Sequence, residues 1–146
     1  MQRPYRRTFL KSSAALGAAM AVPAIARSAQ SPNDRVRVAV VGLGGRGRIC
    51  HCGALRQMAG DNVEIVAVCD CDENRMNATA SEQEKSSGKK PTLYADYRKL
   101  LEDKSIDAVS LATQNHWHAL QTIWACQAGK DVYCEKPVSH NIVEGR

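Results

Sequence analysis

A run of β-branched residues that leads directly into closely spaced glycines limits what this chain can fold into. Residues 38–47 read VAVVGLGGRG, with Gly42, Gly44 and Gly47 after the apolar run. Residues 36–41 have the continuous apolar character of a strand buried on both faces, as in a parallel sheet covered by helices. Glycines at this spacing either form an ordinary turn or let the backbone approach a phosphate group. The surrounding residues distinguish these interpretations.

The element predicted after the glycines favours a phosphate site. Helical periodicity over residues 46–59 predicts a helix whose amino end, with its unpaired N–H groups, follows the loop directly. In such a loop Gly42 permits the tight turn and Gly44 permits close approach of a pyrophosphate. Gly47 then allows the helix to pack against the strand.

A carboxylate at the end of the next predicted strand completes the pattern. This strand covers residues 64–70, and Asp70 at its end can accept hydrogen bonds from the ribose hydroxyls of an adenosine. The same charge disfavours the 2′-phosphate of NADP, although Arg75 on the following helix could swing toward such a phosphate. The glycines and Asp70 together predict that the chain binds a dinucleotide, NAD in preference to NADP.

The rest of the chain alternates strands with helices. Further strands are predicted at residues 92–94, 108–112 and 131–134, and further helices at residues 72–84, 96–101 and 117–128. This alternation predicts an α/β fold, a doubly wound parallel sheet of the Rossmann type. Periodicity predicts the apolar faces of the first and last helices as Ile49, Cys52, Gly53, Leu55 and Ala59, and as Ala119, Leu120, Ile123 and Cys126.

The charge of the chain is concentrated at its amino terminus. The 146 residues carry a formal net charge of +5, but residues 1–26 hold Arg3, Arg6, Arg7 and Lys11 without an acidic residue. The remaining residues, with 16 basic and 15 acidic side chains, are close to neutral. Because they provide neither a large positive field nor an aromatic stacking surface, we expect no nucleic-acid partner. The length and the 44% share of hydrophobic residues suit one soluble domain.

The first 26 residues have the organisation of an export signal. A basic stretch precedes a small apolar run that ends in AIA at residues 24–26. The segment RRTFLK at residues 6–11 resembles the twin-arginine signal, which exports folded proteins, often with a bound cofactor. We therefore expect a signal peptide over residues 1–26, a flexible leader over residues 27–34, and periplasmic export through the twin-arginine machinery. The alternative is a basic amphipathic start without a targeting function.

Six cysteines in an exported chain raise the question of disulfides. Proteins that are exported in the folded state fold before export, while their thiols are reduced. The C-x-C spacing at residues 50–52 and 69–71 also differs from the C-x-x-C pairs of common zinc sites. We therefore interpret the cysteines as structural thiols.

Two polar segments each follow directly after a predicted strand, where open parallel sheets bind ligands. They are TQNHWH at residues 113–118 and EKP at residues 135–137, the latter within AGKDVYCEKP. Together with the glycine loop they resemble the N-terminal domain of the Gfo/Idh/MocA family of NAD(P)-dependent oxidoreductases, which has a Gly-rich loop, a T-P-N-x-x-H type segment and an E-K-P motif. The resemblance extends from about residue 36 to residue 143, and Gln114 stands where the family usually has proline.

The resemblance implies a role for each polar residue of these segments. It places Asn115 and His118 at the nicotinamide end of the cofactor, Glu135 at its ribose, and Lys136 near the substrate carbon that loses hydride. Lys136 and His118 are the predicted catalytic residues, since a partly desolvated lysine can exchange a proton with a substrate hydroxyl. The remaining predicted cofactor contacts are Gly42, Gly44, Gly45, Arg46, Gly47, Asp70 and Thr113.

His116 and Pro137, which belong to the same two segments, receive simpler interpretations. His116 is expected to be an exposed side chain at a helix amino end, and His116 with His118 lack the further ligands that a metal site needs, so no metal is expected. Pro137 is hypothesised to follow a cis peptide bond that turns Lys136 into the cleft.

The resemblance also implies a second, larger α/β domain beyond residue 146, which supplies most of the substrate pocket and a further catalytic histidine. We therefore expect an N-terminal half that binds cofactor and does not turn over substrate alone. Family members are often homo-oligomers. Three functions remain open at this point: an exported sugar or polyol dehydrogenase, a glycoside-cleaving relative that recycles its NAD, and a non-catalytic dinucleotide-binding module.

Overall fold

Five parallel strands form one sheet in the order β3-β2-β1-β4-β5. The computed structural model describes residues 35–146, so the predicted signal peptide and leader lie outside the described residues. The strands are β1 (Val36–Val41), β2 (Val63–Cys69), β3 (Thr92–Tyr94), β4 (Ala108–Leu111) and β5 (Asp131–Cys134). Every pairing between neighbouring strands is parallel, which confirms the predicted doubly wound sheet of the Rossmann type.

The first four strands are each followed by helical structure. A π-helical turn (Arg46–His51), helix α1 (Cys52–Gln57) and a 3₁₀ turn (Met58–Asp61) follow β1, and α2 (Glu73–Ser87), α3 (Tyr97–Glu102) and α4 (Asn115–Gln127) follow β2, β3 and β4. The carboxylates of Asp72 and Asp96 accept first-turn N–H groups and so cap α2 and α3. Among residues 35–146, no helix is both long enough and apolar enough to cross a membrane.

Helices pack on both faces of the sheet and bury separate apolar clusters. On one face, α3 and α4 contribute Tyr97, Leu100 and Ala125. On the other, α1 and α2 contribute Cys52 and Met76. The strand order reverses between β1 and β4, so a crevice opens at the carboxyl ends of these two strands, where doubly wound sheets bind ligands.

The buried face of the first helical segment differs from the predicted one. Ile49, expected in the core, is 72% exposed, and His51 is buried instead. The prediction assumed 3.6 residues per turn, whereas the segment begins with a π-helical turn of wider period. The prediction is therefore wrong for Ile49 and for the exposed Ala59, although Cys52 does lie in the core.

The buried face of α4 also differs from the predicted one. Leu120, Ile123 and Cys126 are exposed, and the residues that α4 buries are His118, Gln121 and Ala125. The polar members of this face can be buried because their hydrogen bonds are satisfied. The side-chain oxygen of Gln121 accepts the Thr113 hydroxyl at 2.6 Å, and its backbone carbonyl accepts the Tyr97 hydroxyl at 2.9 Å. The ring nitrogens of His118 lie 2.7 and 3.1 Å from backbone carbonyl oxygens. The predicted apolar face of this helix is therefore wrong.

All six cysteines lie in the described range and are free thiols. Burial raises the pKa of Cys52 to about 11 and that of Cys69 to about 12, so both remain protonated and pack as small apolar groups. Cys50, Cys71 and Cys126 are exposed and do not pack in the core. The cysteines are therefore thiols, as interpreted from the sequence, but only Cys52 and Cys69 are buried in the core.

Candidate cofactor site

The loop after β1 contains two glycines that leave no room for a side chain. Gly42 has a φ of +85°, in the left-handed region that favours glycine. A Cβ added to Gly42 would lie 2.7 Å from the carbonyl oxygen of Ala112, and one added to Gly47 would overlap the carbonyl oxygen of Gly42. The loop therefore folds back closely against the end of β4 and against the helical turn that follows it.

Gly44 and Gly45, between these two positions, face open space. A Cβ added to Gly44 would have the Arg75 guanidinium as its nearest neighbour, at 3.7 Å, and one added to Gly45 would have no neighbour within 4 Å. The first N–H groups of a helical segment lack intrahelical partners and carry partial positive charge. An anion can therefore approach the backbone at this point, and the loop fits the pyrophosphate of a dinucleotide.

Asp70 connects the end of β2 to the glycine loop. One of its carboxylate oxygens accepts the N–H of Leu43 at 2.6 Å, and the other accepts the N–H of Asp72 at 2.9 Å. Each oxygen of a carboxylate can accept two hydrogen bonds, so both retain a lone pair for a hydroxyl donor. The carboxylate thus lies beside the loop, and it makes an anchoring contact that the sequence did not indicate.

Glu135, directly after β5, is a buried carboxylate with three hydrogen-bond donors. Its Oε1 accepts Arg46 Nε at 2.5 Å and His51 Nε2 at 3.0 Å, and its Oε2 accepts the N–H of Lys136 at 3.2 Å. The hydrogen bond from Arg46, followed by that from His51, lowers the pKa of Glu135 to about 2. The carboxylate is therefore ionised at neutral pH, and it connects the loop after β5 to the loop after β1.

His51 belongs to this cluster, and the sequence analysis missed it. Its Nδ1 lies 2.8 Å from Ser110 Oγ on β4, and its ring packs edge-on against Tyr133, with ring centroids 5.4 Å apart. The π-helical turn directs this side chain toward the sheet. No local signal distinguishes His51, because Arg46 and Arg48 precede it in the same polar segment and its two partners lie far away in sequence.

His118 joins the two polar segments to each other. It is 1% exposed, its Nδ1 lies 2.7 Å from the carbonyl oxygen of Pro137, and its Nε2 lies 3.1 Å from that of Thr113. Asn115 and His116 are exposed on the first turn of α4. The structure therefore brings TQNHWH and EKP together through a buried imidazole.

Lys136 follows Glu135 directly, and it is exposed rather than partly desolvated as the sequence analysis assumed. The peptide bond between Lys136 and Pro137 is cis, as hypothesised from the sequence. On the α1 side of β4 and β5, a cavity of about 580 Å³ reaches Glu135, and its other lining residues include Arg46, His51, Ser110 and Tyr133. The polar groups of the two segments and of the glycine loop thus lie at one end of the sheet.

The fold and this arrangement define a class, the α/β proteins that bind a dinucleotide at the carboxyl end of a parallel sheet. Residues 36–146 match the oxidoreductase family with an NAD-binding Rossmann fold, and residues 6–23 match the signal sequence of the twin-arginine translocation pathway. The chain belongs to the Gfo/Idh/MocA family of NAD-binding oxidoreductases.

Relatives of this chain include both hydrolase-named and dehydrogenase-named proteins. A glycosyl hydrolase family 109 protein of Stenotrophomonas maltophilia is 34% identical over 136 residues, which are 89% of this chain and 29% of the relative. The crystal structure of myo-inositol 2-dehydrogenase from Lactobacillus plantarum has a TM-score of 0.66 and 31% identity, and the match covers 75% of this chain and 30% of that one.

A third relative was solved with a nicotinamide cofactor. The WlbA dehydrogenase from Bordetella pertussis, in complex with NADH and UDP-GlcNAcA, has a TM-score of 0.65 and 31% identity, over 76% of this chain and 31% of that one. The chain therefore spans about 30% of the length of these relatives.

Proposed function

We propose that this chain is the cofactor-binding part of an oxidoreductase that transfers hydride between NAD and a hydroxyl-bearing carbon of a sugar or polyol. The observation that carries the proposal is the juxtaposition of an open glycine loop with the Glu135–Lys136 segment, linked by the Arg46–Glu135 ion pair of 2.5 Å. This arrangement offers an anion site and a hydroxyl-binding carboxylate at the same edge of the sheet.

The cofactor contacts follow from where donors and acceptors lie. The N–H groups around Gly44, Gly45 and Arg46 face the pyrophosphate, and Asp70 accepts the adenosine ribose hydroxyls through its free lone pairs. Gly42 and Gly47 contribute by shaping the loop. Arg75 lies close enough to Gly44 to add a positive charge beside the phosphates.

The loops after β4 and β5 hold the nicotinamide end of the cofactor. Glu135 accepts a hydroxyl of the second ribose, and Thr113 and Asn115 border the ring from the start of α4. Bound NAD supplies the hydride acceptor. Lys136 exchanges a proton with the substrate hydroxyl, because an exposed ammonium at the cleft edge can reach it. His118 supports this arrangement from within, since both of its ring nitrogens contact backbone carbonyl groups of the two loops.

A second candidate function is glycoside cleavage with transient oxidation of the sugar, which leaves no net change in NAD. The 34% identity to the glycosyl hydrolase family 109 protein favours it. The two candidates use the same cofactor contacts and differ only in the fate of the oxidised sugar. Net accumulation of NADH with substrate supports the dehydrogenase, whereas release of the aglycone without NADH accumulation supports cleavage.

The experiment that tests the catalytic assignment uses a form of the protein that spans the full length of its relatives. Lys136→Met should lower turnover by about a hundredfold or more, because a positioned proton-transfer group is lost. Binding of NAD, measured by calorimetry, should remain close to that of the parent, since Lys136 faces the substrate. Turnover within about twofold of the parent would reject this role for Lys136.

We also propose that the protein reaches the periplasm in the folded state. The twin-arginine signal at residues 6–23 supports this destination. Replacing Arg6 and Arg7 with lysine keeps the charge and removes only the specific guanidinium recognition, so the double variant should remain in the cytoplasm. Cell fractionation measures where the variant is found. Normal export of that variant would refute the proposal.

A further inference from the structure

His51 lies behind Glu135, between the helical turn after β1 and the sheet. It is 6% exposed, and both ring nitrogens have partners. Nδ1 lies 2.8 Å from Ser110 Oγ, and Nε2 lies 3.0 Å from Glu135 Oε1. The ring of Tyr133 packs against its edge. A buried imidazole with three neighbours on three sides is held in one orientation.

These partners determine which nitrogen of His51 carries a proton. The ionised carboxylate of Glu135 can only accept, so Nε2 carries the hydrogen and Nδ1 accepts the hydroxyl of Ser110. If the ring gains a second proton, the Ser110 hydroxyl can rotate and accept from Nδ1 instead. The hydrogen bond from His51 to Glu135 therefore persists in both protonation states of the ring.

Arg46, the other charged partner of Glu135, is situated differently. Its side chain is 60% exposed, whereas that of His51 is 4% exposed. Arg46 also begins the helical turn that faces the pyrophosphate, so a bound phosphate competes with Glu135 for its guanidinium. His51 is buried between the helical turn and the sheet, so its contact with the carboxylate does not depend on a side chain that an anion can draw away.

Other titratable groups line the same cavity without contacting the carboxylate. Cys50 lies on the helical turn beside His51, and Asp131 and Tyr133 lie on β5. Within residues 35–146, the hydrogen-bond partners of the Glu135 carboxylate are Arg46, His51 and the N–H of Lys136. Loss of His51 therefore removes the one buried side-chain donor of this carboxylate.

We propose that His51, supported by Ser110, is a positioning residue that keeps the Glu135 carboxylate directed at the cofactor when Arg46 is drawn to the pyrophosphate. This inference rests on the proposed function, because it requires a dinucleotide to bind between the glycine loop and Glu135. The fixed carboxylate leaves one lone pair of Oε2 for a ribose hydroxyl, since the other accepts the N–H of Lys136. His51 itself does not touch the reacting atoms.

An NMR titration of the Glu135 carboxyl carbon tests the contact in the full chain without NAD. In His51→Leu the pKa of Glu135 should rise from about 2 toward its ordinary value of 4.5, because a donor to the charged form is lost. In His51→Gln, which keeps an N–H donor, the pKa should stay closer to that of the parent. His140→Leu, at an exposed histidine, serves as the control and should change nothing. An unchanged titration in His51→Leu overturns the proposal.

Calorimetry with NAD on the same variants tests the consequence for binding. His51→Leu should weaken binding by about tenfold, and His51→Gln should remain within about threefold of the parent. Equal losses in both variants would indicate a packing defect and overturn the positioning role. A parent chain that binds no NAD, with the carboxyl titration as expected, refutes the proposed function and leaves the His51–Glu135 contact standing.

A further measurement on the parent protein does not require His51→Leu to fold. Nitrogen-15 spectra of the parent report which ring nitrogen of His51 is protonated at neutral pH. A protonated Nε2 is expected, and an Nε2 without a proton overturns the proposal, because it could not donate to Glu135. Ser110→Ala provides a milder variant, in which Nε2 should stay protonated because the Glu135 carboxylate still accepts from it, and loss of the Nε2 proton there would overturn the proposal.

Discussion

At the scale of single residues, Asp70 combines two roles that binding measurements can separate. It anchors the glycine loop by accepting the N–H of Leu43 at 2.6 Å, and in the proposed function it also accepts ribose hydroxyls. Loss of the anchor weakens NAD and NADP binding alike. Loss of the charge reduces the discrimination against NADP, because a carboxylate repels the 2′-phosphate that NADP carries. The ratio of the two affinities therefore isolates the second role.

Asp70→Ala should weaken NAD binding by about tenfold and reduce the preference for NAD over NADP. The measurement is calorimetry with each dinucleotide on the parent and the variant. Asp61→Ala, at an exposed carboxylate on the 3₁₀ turn, is the matched control and should change neither affinity. An unchanged ratio in Asp70→Ala, or a parent that prefers NADP through Arg75, would contradict the assignment.

The sequence could predict the role of a residue when that role depends on the local backbone conformation. It could not predict a role that depends on partners distant in sequence. Gly42 was predictable as a turn residue because its φ of +85° is a property of the loop itself. The anchoring contact of Asp70 and the burial of His51 were not predictable. His51 contacts Ser110 and Glu135, which lie 59 and 84 residues away, so its environment exists only after the sheet has formed.

At the scale of elements, α4 shows how buried polar groups can override an apolar pattern. Periodicity favoured the face of Leu120 and Ile123, yet the helix buries His118, Gln121 and Ala125. The hydrogen bonds of the two polar residues to the loops compensate the cost of burying them. The rotation of the helix is therefore set by contacts at its amino end, which a hydrophobicity pattern does not contain.

Two substitutions to the same residue test this orientation of α4. Ile123→Gln, at a residue 49% exposed, should change the free energy of unfolding by less than about 0.5 kcal/mol. Ala125→Gln should destabilise by roughly 1–3 kcal/mol, because a longer polar side chain enters a filled core. Urea denaturation of both variants gives the comparison. A larger loss of stability in Ile123→Gln than in Ala125→Gln would indicate that α4 buries the face expected from periodicity.

At the scale of the whole molecule, the topology was the most predictable property. Alternating strands and helices with short connections allow few arrangements, since the crossovers between parallel strands are right-handed. Five predicted strands all exist, and they form one parallel sheet. The crevice at the carboxyl ends of β1 and β4 follows from that order, so sequence could indicate which loops meet but not which side chains pair there.

The central claim is that the glycine loop holds the pyrophosphate of NAD, and titration calorimetry of the full chain tests it most directly. Gly44→Val places a branched side chain where the backbone must meet the phosphates, while the nearest neighbour of the new Cβ is a flexible arginine at 3.7 Å, so the fold should persist. Gly60→Val, at a glycine with no neighbour within 4 Å, is the control. The parent and Gly60→Val should bind NAD, and Gly44→Val should not. A parent that does not bind NAD, or a folded Gly44→Val that binds it as tightly as the parent, would contradict the claim.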